Sequence, residues 1–292
     1  MIVTLLLGVL GALTLYFLFF FVKDVAANKE VMAQEQASWV KSGFIGAFVN
    51  FFDTLGIGSF APLTALLDFF KQLDHDRLLP GTLNVSCTIP VMTEAFIFIK
   101  SVEVAPVTLF AMVAAATVGS FVGSRTVSKL PEKKVQFYMG LALLVTAALM
   151  LLRQFGALDA LGTGNEAVAL TGIKLIIAVV INFFLGALMT IGVGLYAPCM
   201  ALVYMLGLNP LVAFPIMMAS CAGLMPVASA EFIKAGVYAR KSSIAISIGG
   251  IVGVFIAAKF VTGLPMNVLT IIITAVVIYT AVTYIRKSKA AA

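Results

Sequence analysis

Charge is what this sequence lacks most. Of its 292 residues only 11% are charged, while 62% are hydrophobic and the mean hydropathy is +1.11. A soluble domain carries about 25% charged residues, which keep its surface hydrated. The composition therefore excludes an ordinary soluble globule, and the long apolar runs predict helices that satisfy their backbone groups inside lipid. We expect an all-α polytopic membrane protein.

Metal-binding and redox residues are equally sparse. The chain has one histidine, His75 in a short polar segment, and three cysteines inside apolar runs, namely Cys87, Cys199 and Cys221. The cysteine spacing matches neither a zinc site nor the disulfide framework of a secreted protein. No His–Asp or paired-acid arrangement has a spacing that suits a hydrolase. We therefore expect no metal, no cofactor and no enzymatic activity.

The sequence also lacks the signs of a nucleic acid partner and of a cleaved signal peptide. The net charge of +6 is the usual excess of Lys and Arg in cytoplasmic loops, so it does not indicate a nucleic acid partner. The first apolar run, residues 2–22, has no basic region before it and is about twice as long as the apolar core of a signal peptide. We interpret it as a membrane-spanning helix. The oligomeric state stays open, with a homo-oligomer among the alternatives.

An internal repeat is the strongest pattern in the chain. The segment Asp53-Thr-Leu-Gly-Ile-Gly-Ser-Phe-Ala-Pro62 recurs as Met189-Thr-Ile-Gly-Val-Gly-Leu-Tyr-Ala-Pro198. The similarity continues downstream, with one shift in register where a loop is shortened, and loops are where such changes occur. The further matching pairs are Ser86-Cys87 with Ser220-Cys221, Phe98-Ile-Lys100 with Phe232-Ile-Lys234, Val118-Gly119 with Val252-Gly253, Arg125 with Lys259, and Leu130-Pro131 with Leu264-Pro265. The chain therefore contains two copies of one unit.

The distribution of basic residues predicts how the two copies are oriented. Lys and Arg concentrate in cytoplasmic loops. In the first copy they lie mainly in residues 125–134, whereas in the second copy they lie mainly in the loop equivalent to residues 100–103. Equivalent loops are therefore expected on opposite sides of the membrane, as in an inverted repeat. Counting crossings then requires residues 40–70 and 173–207 to form helical hairpins that return to the side from which they entered.

The predicted fold is two inverted-topology repeats, each a broken helical hairpin followed by three transmembrane helices, after an extra N-terminal helix. The N-terminus is predicted to be periplasmic and the C-terminus cytoplasmic. Because the hairpin arms are short compared with a hydrocarbon core of about 30 Å, they either span or re-enter. The predicted boundaries are residues 1–37 for the first helix and a cytoplasmic linker, 38–153 for repeat 1, 154–172 for an external linker, and 173–292 for repeat 2.

The repeated Thr-x-Gly-x-Gly-x-aromatic-Ala-Pro motif predicts an anion-binding site. Glycines allow a sharp turn and close approach of a ligand, and a proline suits the first turn of the following helix. Free N–H groups and the positive dipole end of such a helix attract anions, so two opposed hairpin tips avoid a buried lysine that would cost about 3 kcal/mol. In the alternative interpretation, the glycines serve only packing and the prolines only kink the chain. The binding candidates are Thr54, Gly56, Gly58, Ser59, Pro62, Thr190, Gly192, Gly194 and Pro198.

Polar residues in other apolar runs are further binding candidates. Asn50 and Asn182 lie on the first arms of the hairpins, and Ser86 and Ser220 lie one helix later at equivalent positions. Amide and hydroxyl donors suit an oxyanion. Small polar side chains also join membrane helices, so both roles stay open.

Ionisable residues inside or at the ends of apolar runs have two interpretations as well. Asp53 and Glu94 are acids within apolar runs, where ionisable groups commonly have a function such as proton coupling. Neither has an acidic counterpart in the other copy, so a structural role is the alternative. Arg125 and Lys259 are equivalent basic residues at helix ends, and they either attract anions or anchor the helices at the interface.

These features together resemble the TauE/SafE family, also called the toluene sulfonate uptake permease family. The resemblance covers nearly the whole chain after the first helix and rests on two halves that each open with Gly-x-Gly-x-x-x-Pro. It implies a bacterial inner-membrane transporter of sulfite or of sulfonates such as sulfoacetate or taurine-derived compounds, often an exporter. The second copy has Leu195 and Met189 where the first has Ser59 and Asp53, so a chemically symmetric site is not expected. The positions that correspond to the family's hairpin-tip glycines and prolines are Gly56, Gly58, Pro62, Gly192, Gly194 and Pro198.

A membrane thiol-redox electron carrier is the alternative from another functional class. Cys87 and Cys221 occupy equivalent positions, and Cys87-Thr-Ile-Pro90 has the form Cys-x-x-Pro. A reactive thiol needs a nearby positive charge or a helix start, whereas both cysteines lie in apolar sequence. The preferred prediction is therefore alternating-access transport of a small anion held between the two hairpin tips.

Overall fold

The computed structural model describes residues 2–55, 57–98, 104–260 and 266–290. Regular structure in these ranges consists of helices, so the prediction of an all-α protein is confirmed. A 3-10 turn, Asp76–Leu78, lies between α4 and α5. The α-helices are α1 (Ile2–Ala27), α2 (Lys29–Gln34), α3 (Trp39–Thr54), α4 (Phe60–Phe69), α5 (Leu79–Phe98), α6 (Pro106–Val127), α7 (Glu132–Gln154), α8 (Ala157–Leu161), α9 (Gly172–Met189), α10 (Tyr196–Met205), α11 (Pro210–Ala235), α12 (Arg240–Phe260) and α13 (Met266–Lys289).

Six helices in the described part of the chain are long and apolar enough to cross a membrane. Their surfaces carry large exposed apolar side chains such as Phe19, Phe184 and Phe255. Apolar faces of this extent are expected to contact lipid rather than water. The chain is therefore a multi-pass membrane protein, as predicted. The six segments are Thr4–Ala27, Pro106–Val127, Glu132–Gln154, Gly172–Met189, Pro215–Ala235 and Arg240–Lys259.

Two broken helical hairpins lie where the repeated motif predicts them, α3 with α4 and α9 with α10. Each break is closed by an equivalent backbone hydrogen bond, from the N–H of Ile57 to the carbonyl of Phe52 (3.0 Å) and from the N–H of Val193 to the carbonyl of Leu188 (3.4 Å). The second arms, α4 and α10, have 10 residues each. Ten residues form about 15 Å of helix, half of the hydrocarbon core, so these arms are too short to cross it.

Each hairpin packs against helices of the opposite half of the chain. Helix α3 lies along α12, and α9 lies along α6. Both crossings depend on glycine, because a Cβ at Gly253 would overlap the backbone of Ala47 and a Cβ at Gly119 would overlap the backbone of Phe183. Close approach through small residues is the usual way in which membrane helices associate. The halves also meet through α5 with α11 and through α7 with α13.

The two hairpins enter the helix bundle from opposite ends. At the first residue of α7, the Glu132 carboxylate accepts a hydrogen bond (3.0 Å) from the backbone of Asp76, which follows hairpin α3–α4. Beyond the other end of α7, the Asn165 side chain donates to the carbonyl of Tyr204 (2.7 Å), near the end of hairpin α9–α10. The base of the first hairpin therefore contacts the start of α7, whereas the base of the second contacts the segment that follows α7. Residues 100–103, Leu264 and Pro265, which entered the sequence comparison, lie outside the described residues.

Candidate functional site

The two hairpin tips are built alike. We define tip A as residues 55–59 and tip B as residues 190–195. Both contain a glycine in the left-handed region, although at different positions of the motif: Gly58 with φ 92° is its second glycine, and Gly192 with φ 109° is its first. After each tip a helix begins at an aromatic residue, Phe60 in α4 and Tyr196 in α10. The first N–H groups of these helices have no acceptor within the helix, so each tip presents donors and a positive dipole end.

Both tips open onto one cavity of about 370 Å³. Sites for small molecules usually measure about 300–1,000 Å³, so the volume suits a small ligand. Tip A and its helix contribute Leu55, Ile57, Gly58, Ser59, Phe60 and Ala61, while tip B and its helix contribute Gly194, Leu195, Tyr196 and Ala197. The remaining walls are formed by Asp53, Val91, Thr146, Leu149, Met150, Arg153, Gln154, Gly156, Asp159, Met189 and Cys221.

The motif candidates divide between the cavity wall and the interior of the tips. Gly58, Ser59 and Gly194 line the cavity. Gly192 instead faces the helix bundle, where a Cβ would lie 2.8 Å from the Met139 methyl group. Gly56 lies outside the described residues. The described motif candidates that do not line the cavity, besides Gly192, are Thr54, Pro62, Thr190 and Pro198.

Four predicted polar candidates lie away from the described cavity wall: Asn50, Asn182, Ser86 and Ser220. All four are fully buried. The Asn182 amide donates to the Ser220 hydroxyl at 3.3 Å, which joins α9 to α11. The Asn50 amide donates to the carbonyl of Gly46 within its own helix at 2.9 Å. Asn182 and Ser220 therefore contact each other between helices and Asn50 bonds within its own helix, while a binding role for the four residues stays a prediction.

Asp53 gives tip A a group that tip B lacks. Its carboxylate accepts a hydrogen bond of 2.7 Å from the Ser59 hydroxyl, and the side chain is 4% exposed at the cavity wall. The aligned residues of the second copy are Met189 and Leu195, which also line the cavity. The two tips therefore offer unequal chemistry, as the sequence comparison predicts.

Glu94 connects the two hairpins. Its Oε1 lies 2.8 Å from the Thr54 hydroxyl at the end of α3, and its Oε2 accepts a hydrogen bond of 3.3 Å from the Tyr196 hydroxyl at the start of α10. The Thr54 hydroxyl also lies 2.8 Å from the Asn50 carbonyl. One hydroxyl hydrogen serves one acceptor, so both contacts of Thr54 are satisfied when Glu94 carries a proton and donates it.

Basic residues are unevenly placed around the site. Arg153 is the only Lys or Arg among the described residues of the cavity wall, and it lies at the end of α7. Arg125 instead pairs with Glu231 at 2.6 Å, and Lys234 pairs with the same carboxylate at 2.8 Å. Lys259, in the last turn of α12, does not line the cavity either. Arg125 therefore joins α6 to α11 and does not line the cavity.

The wall formed by α7 and the contact of Tyr196 with Glu94 were not predicted from the sequence. The aromatic position of the motif was recognised, but its hydroxyl was not. In the predicted boundaries, residue Arg153 is only the last residue of repeat 1. Extending the internal repeat along α7 into α13 would have singled it out, because it has a basic counterpart there.

Comparison with known proteins gives a match to a protein family. A family model described as "Sulfite exporter TauE/SafE" matches residues 1–150, slightly more than half of the chain. The chain belongs to the TauE/SafE family. The predicted resemblance is thereby confirmed, and a multi-pass membrane transporter is the coarse function that follows from membership. No curated protein and no solved structure matches the chain.

The TauE/SafE match spans α1, hairpin α3–α4 and most of the following three helices. It therefore includes tip A, Asp53, Glu94 and much of the cavity wall formed by α7. Tip B and Arg153 lie beyond the matched residues, and they join the site through the packing of the second half of the chain.

Proposed function

We propose that this TauE/SafE protein transports a small sulfur-containing anion, sulfite or an organosulfonate, by alternating access around the cavity between tips A and B. The observation that carries the proposal is that the N-termini of α4 and α10 open onto one cavity. Helix N-termini bind anions through backbone donors and the positive dipole end. Broken helices at the interface of two repeats are a common design of substrate sites in transporters.

The binding site that we propose combines backbone donors, one hydroxyl and one guanidinium group. Gly58 and Gly194 leave space at the tips, and the Ser59 hydroxyl lies on the wall between them. Arg153 attracts the anion at the end of the cavity, where a cation is less costly than at the bilayer centre. Binding of an anion beside Asp53 requires that carboxyl group to be protonated, which links substrate binding to a proton.

We also propose that the two halves are inverted repeats, with the N-terminus periplasmic and the C-terminus cytoplasmic in a bacterial inner membrane. The separation of the two hairpin bases along α7 supports the inversion. In this orientation the cavity extends from the tips toward the periplasm, because Arg153, Gln154, Gly156 and Asp159 precede or begin the external linker. Inverted repeats have two related conformations, which is what alternating access requires.

Flux into proteoliposomes tests the proposed function. The purified chain should accelerate uptake of radiolabelled sulfite or sulfoacetate over empty vesicles, and unlabelled sulfite or sulfonate should compete, whereas chloride should not. Taurine and thiosulfate included in the same series define the substrate range. Uptake equal to that of empty vesicles for every sulfur anion tested would contradict the proposal.

A chain with all three cysteines replaced by alanine separates transport from thiol chemistry. Cys87, Cys199 and Cys221 are all free and buried, and they belong to the main apolar cluster. Each replacement removes one buried sulfur atom. Deletion of a single buried heavy atom, as in Ile→Val, costs about 0.5–1.5 kcal/mol of stability, so the triple variant that folds is expected to preserve flux within about twofold. Loss of activity from a folded triple variant would favour the thiol-redox alternative.

Glu94 is the residue that we propose for proton coupling. None of the ion pairs found in the described residues includes it. Its two oxygens contact hydroxyls of both hairpins, so gain or loss of a proton on Glu94 would change contacts at both tips. With one proton moving per anion, a gradient of one pH unit, acidic on the side of uptake, should raise sulfonate accumulation up to about tenfold.

Glu94→Gln tests this assignment because an amide keeps a donor for Thr54 but does not titrate. The variant should transport with a reduced response to the pH gradient, and the combined Glu94→Gln and Asp53→Asn variant should show none. Asp159→Asn is the matched control, since Asp159 is an exposed carboxylate on the same cavity wall. A full response to the gradient in Glu94→Gln, or its loss in Asp159→Asn alone, would contradict the role of Glu94.

A further inference from the structure

Arg153 at the cavity has a basic counterpart at the other end of the bundle. Arg153 follows Arg125 by as many residues as Lys287 follows Lys259, and Arg125 and Lys259 are equivalent in the repeat. The packing of α7 against α13 follows the same register. One buried cluster contains two pairs that are related by this register in α7 and α13, namely Leu143 with Val277 and Ala147 with Ala281.

The two equivalent cations differ in their position relative to the cavity. Arg153 lines the open cavity. Lys287 is held by two carboxylates, Asp68 at 2.5 Å and Asp76 at 3.3 Å. Asp76 is itself fixed by the Gln136 amide, which donates to it at 3.0 Å.

The residues beside the two cations also differ: one lines the cavity and its counterpart is buried. Met150 lines the cavity next to Arg153. In the same register its counterpart is Tyr284, which is fully buried and donates to Asp76 at 3.4 Å. The position equivalent to the cavity is therefore filled on the α13 side.

The second arms of the two hairpins, α4 and α10, also differ in the residue that each places at one equivalent position. Asp68 lies on α4, and through Lys287 it joins α4 to α13. The residue equivalent to Asp68 on α10 is Tyr204, since it follows Pro198 by as many residues as Asp68 follows Pro62. At this position α10 therefore has no carboxylate equivalent to that of Asp68. The start of α10 and α7 instead form separate walls of the cavity.

We propose that Asp68, Asp76, Tyr284 and Lys287 form the closed gate of a second mouth, equivalent to the open mouth at Arg153. The proposal rests on the proposed alternating-access function and adds its gating residues. When the gate opens, Lys287 leaves its carboxylates and faces the anion path, as Arg153 does at the other mouth. The three charged residues of the gate are partly exposed, with side-chain exposures of 36% for Lys287, 24% for Asp68 and 18% for Asp76. Ion pairs of this exposure are only weakly stabilising, which suits a contact that must break in each cycle.

Labelling of two equivalent engineered cysteines tests the gate. Thr146 lines the cavity, and its counterpart in the register is Thr280, which is 4% exposed. In the otherwise unchanged chain, a small polar maleimide should modify Thr146→Cys faster than Thr280→Cys. The parent chain supplies the background from its native cysteines. Equal rates for the two sites would contradict a conformation that is open at one mouth only.

Removing the carboxylates should shift the balance toward the second mouth. With Asp68→Asn and Asp76→Asn combined, the labelling ratio of Thr280→Cys to Thr146→Cys should rise about fivefold, as expected from the loss of two partly exposed ion pairs. Lys287→Gln breaks the same contacts from the other partner and should move the ratio in the same direction. Asp24→Asn is the matched control, because Asp24 pairs with Arg240 at 2.8 Å, outside the proposed gate.

An unchanged ratio in both gate variants, or an equal rise in Asp24→Asn, would overturn the gate. The labelling requires no substrate, so its result is independent of the flux measurements. Absence of sulfite and sulfonate flux together with a shifted ratio would reject the proposed substrate and retain the gate. Flux together with an unshifted ratio would reject the gate and retain the transporter.

Discussion

Gly194→Leu is expected to eliminate sulfur-anion flux in proteoliposomes while the protein stays folded. A Cβ at Gly194 meets no atom within 4 Å, and its backbone has no positive φ that would exclude a side chain. Because Gly194 lines the cavity at tip B, a leucine side chain would occupy the space beside the N-terminus of α10. A steric cost of about 3 kcal/mol to the bound anion corresponds to about a hundredfold loss of affinity.

The matched control for this variant is Gly8→Leu. Gly8 is an exposed residue of α1 that also offers open space to a Cβ, and it lies outside the cavity wall. It should retain parental flux, and both variants should elute as the parent does in size-exclusion chromatography. Parental flux in Gly194→Leu would exclude the cavity at tip B from the transport path.

The second large effect is expected on folding, from Gly253→Leu at the crossing of α12 with α3. A Cβ at Gly253 would overlap the backbone of Ala47, and backbone cannot move aside as a flexible side chain can. Overpacking of a core costs about 1–3 kcal/mol and occasionally more. Here the helices must separate along the crossing, so we expect little folded protein after detergent extraction, measured by size-exclusion chromatography and thermal unfolding.

Gly119→Leu is the internal replicate of this variant. Gly119 is equivalent to Gly253 in the repeat and makes the same type of contact between α6 and α9, against the backbone of Phe183. Both variants should lose stability, while Gly8→Leu should unfold at the parental temperature. A stable, monodisperse Gly253→Leu protein would contradict the close crossing of α12 and α3.

The hairpins could be predicted from the sequence because their causes are local. Two glycines followed by a proline within one short motif favour the interruption of a helix, and the copy at Met189 to Pro198 repeats the interruption at Asp53 to Pro62. The loop charges and the crossing count required hairpins at both places. The observed breaks between α3 and α4 and between α9 and α10 have this origin.

The walls of the cavity could not be predicted in the same way. Gly192 and Gly194 look alike in sequence, yet the first faces Met139 and the second faces the cavity, because helix packing decides which side of tip B is occupied. Glu94 belongs to α5, and its position between Thr54 and Tyr196 depends on how both hairpins dock. Such contacts join segments that are distant in sequence, and no local pattern encodes them.

One anion is proposed to bind between tips A and B, and the position of that anion can be observed directly. Selenite is the selenium counterpart of sulfite, and selenium has a strong anomalous signal in X-ray diffraction. A crystal of the chain grown with selenite is predicted to show an anomalous peak within hydrogen-bonding distance of the first N–H groups of α4 or α10, beside Ser59 and Gly194. An ordered selenite found only outside this cavity would contradict the account.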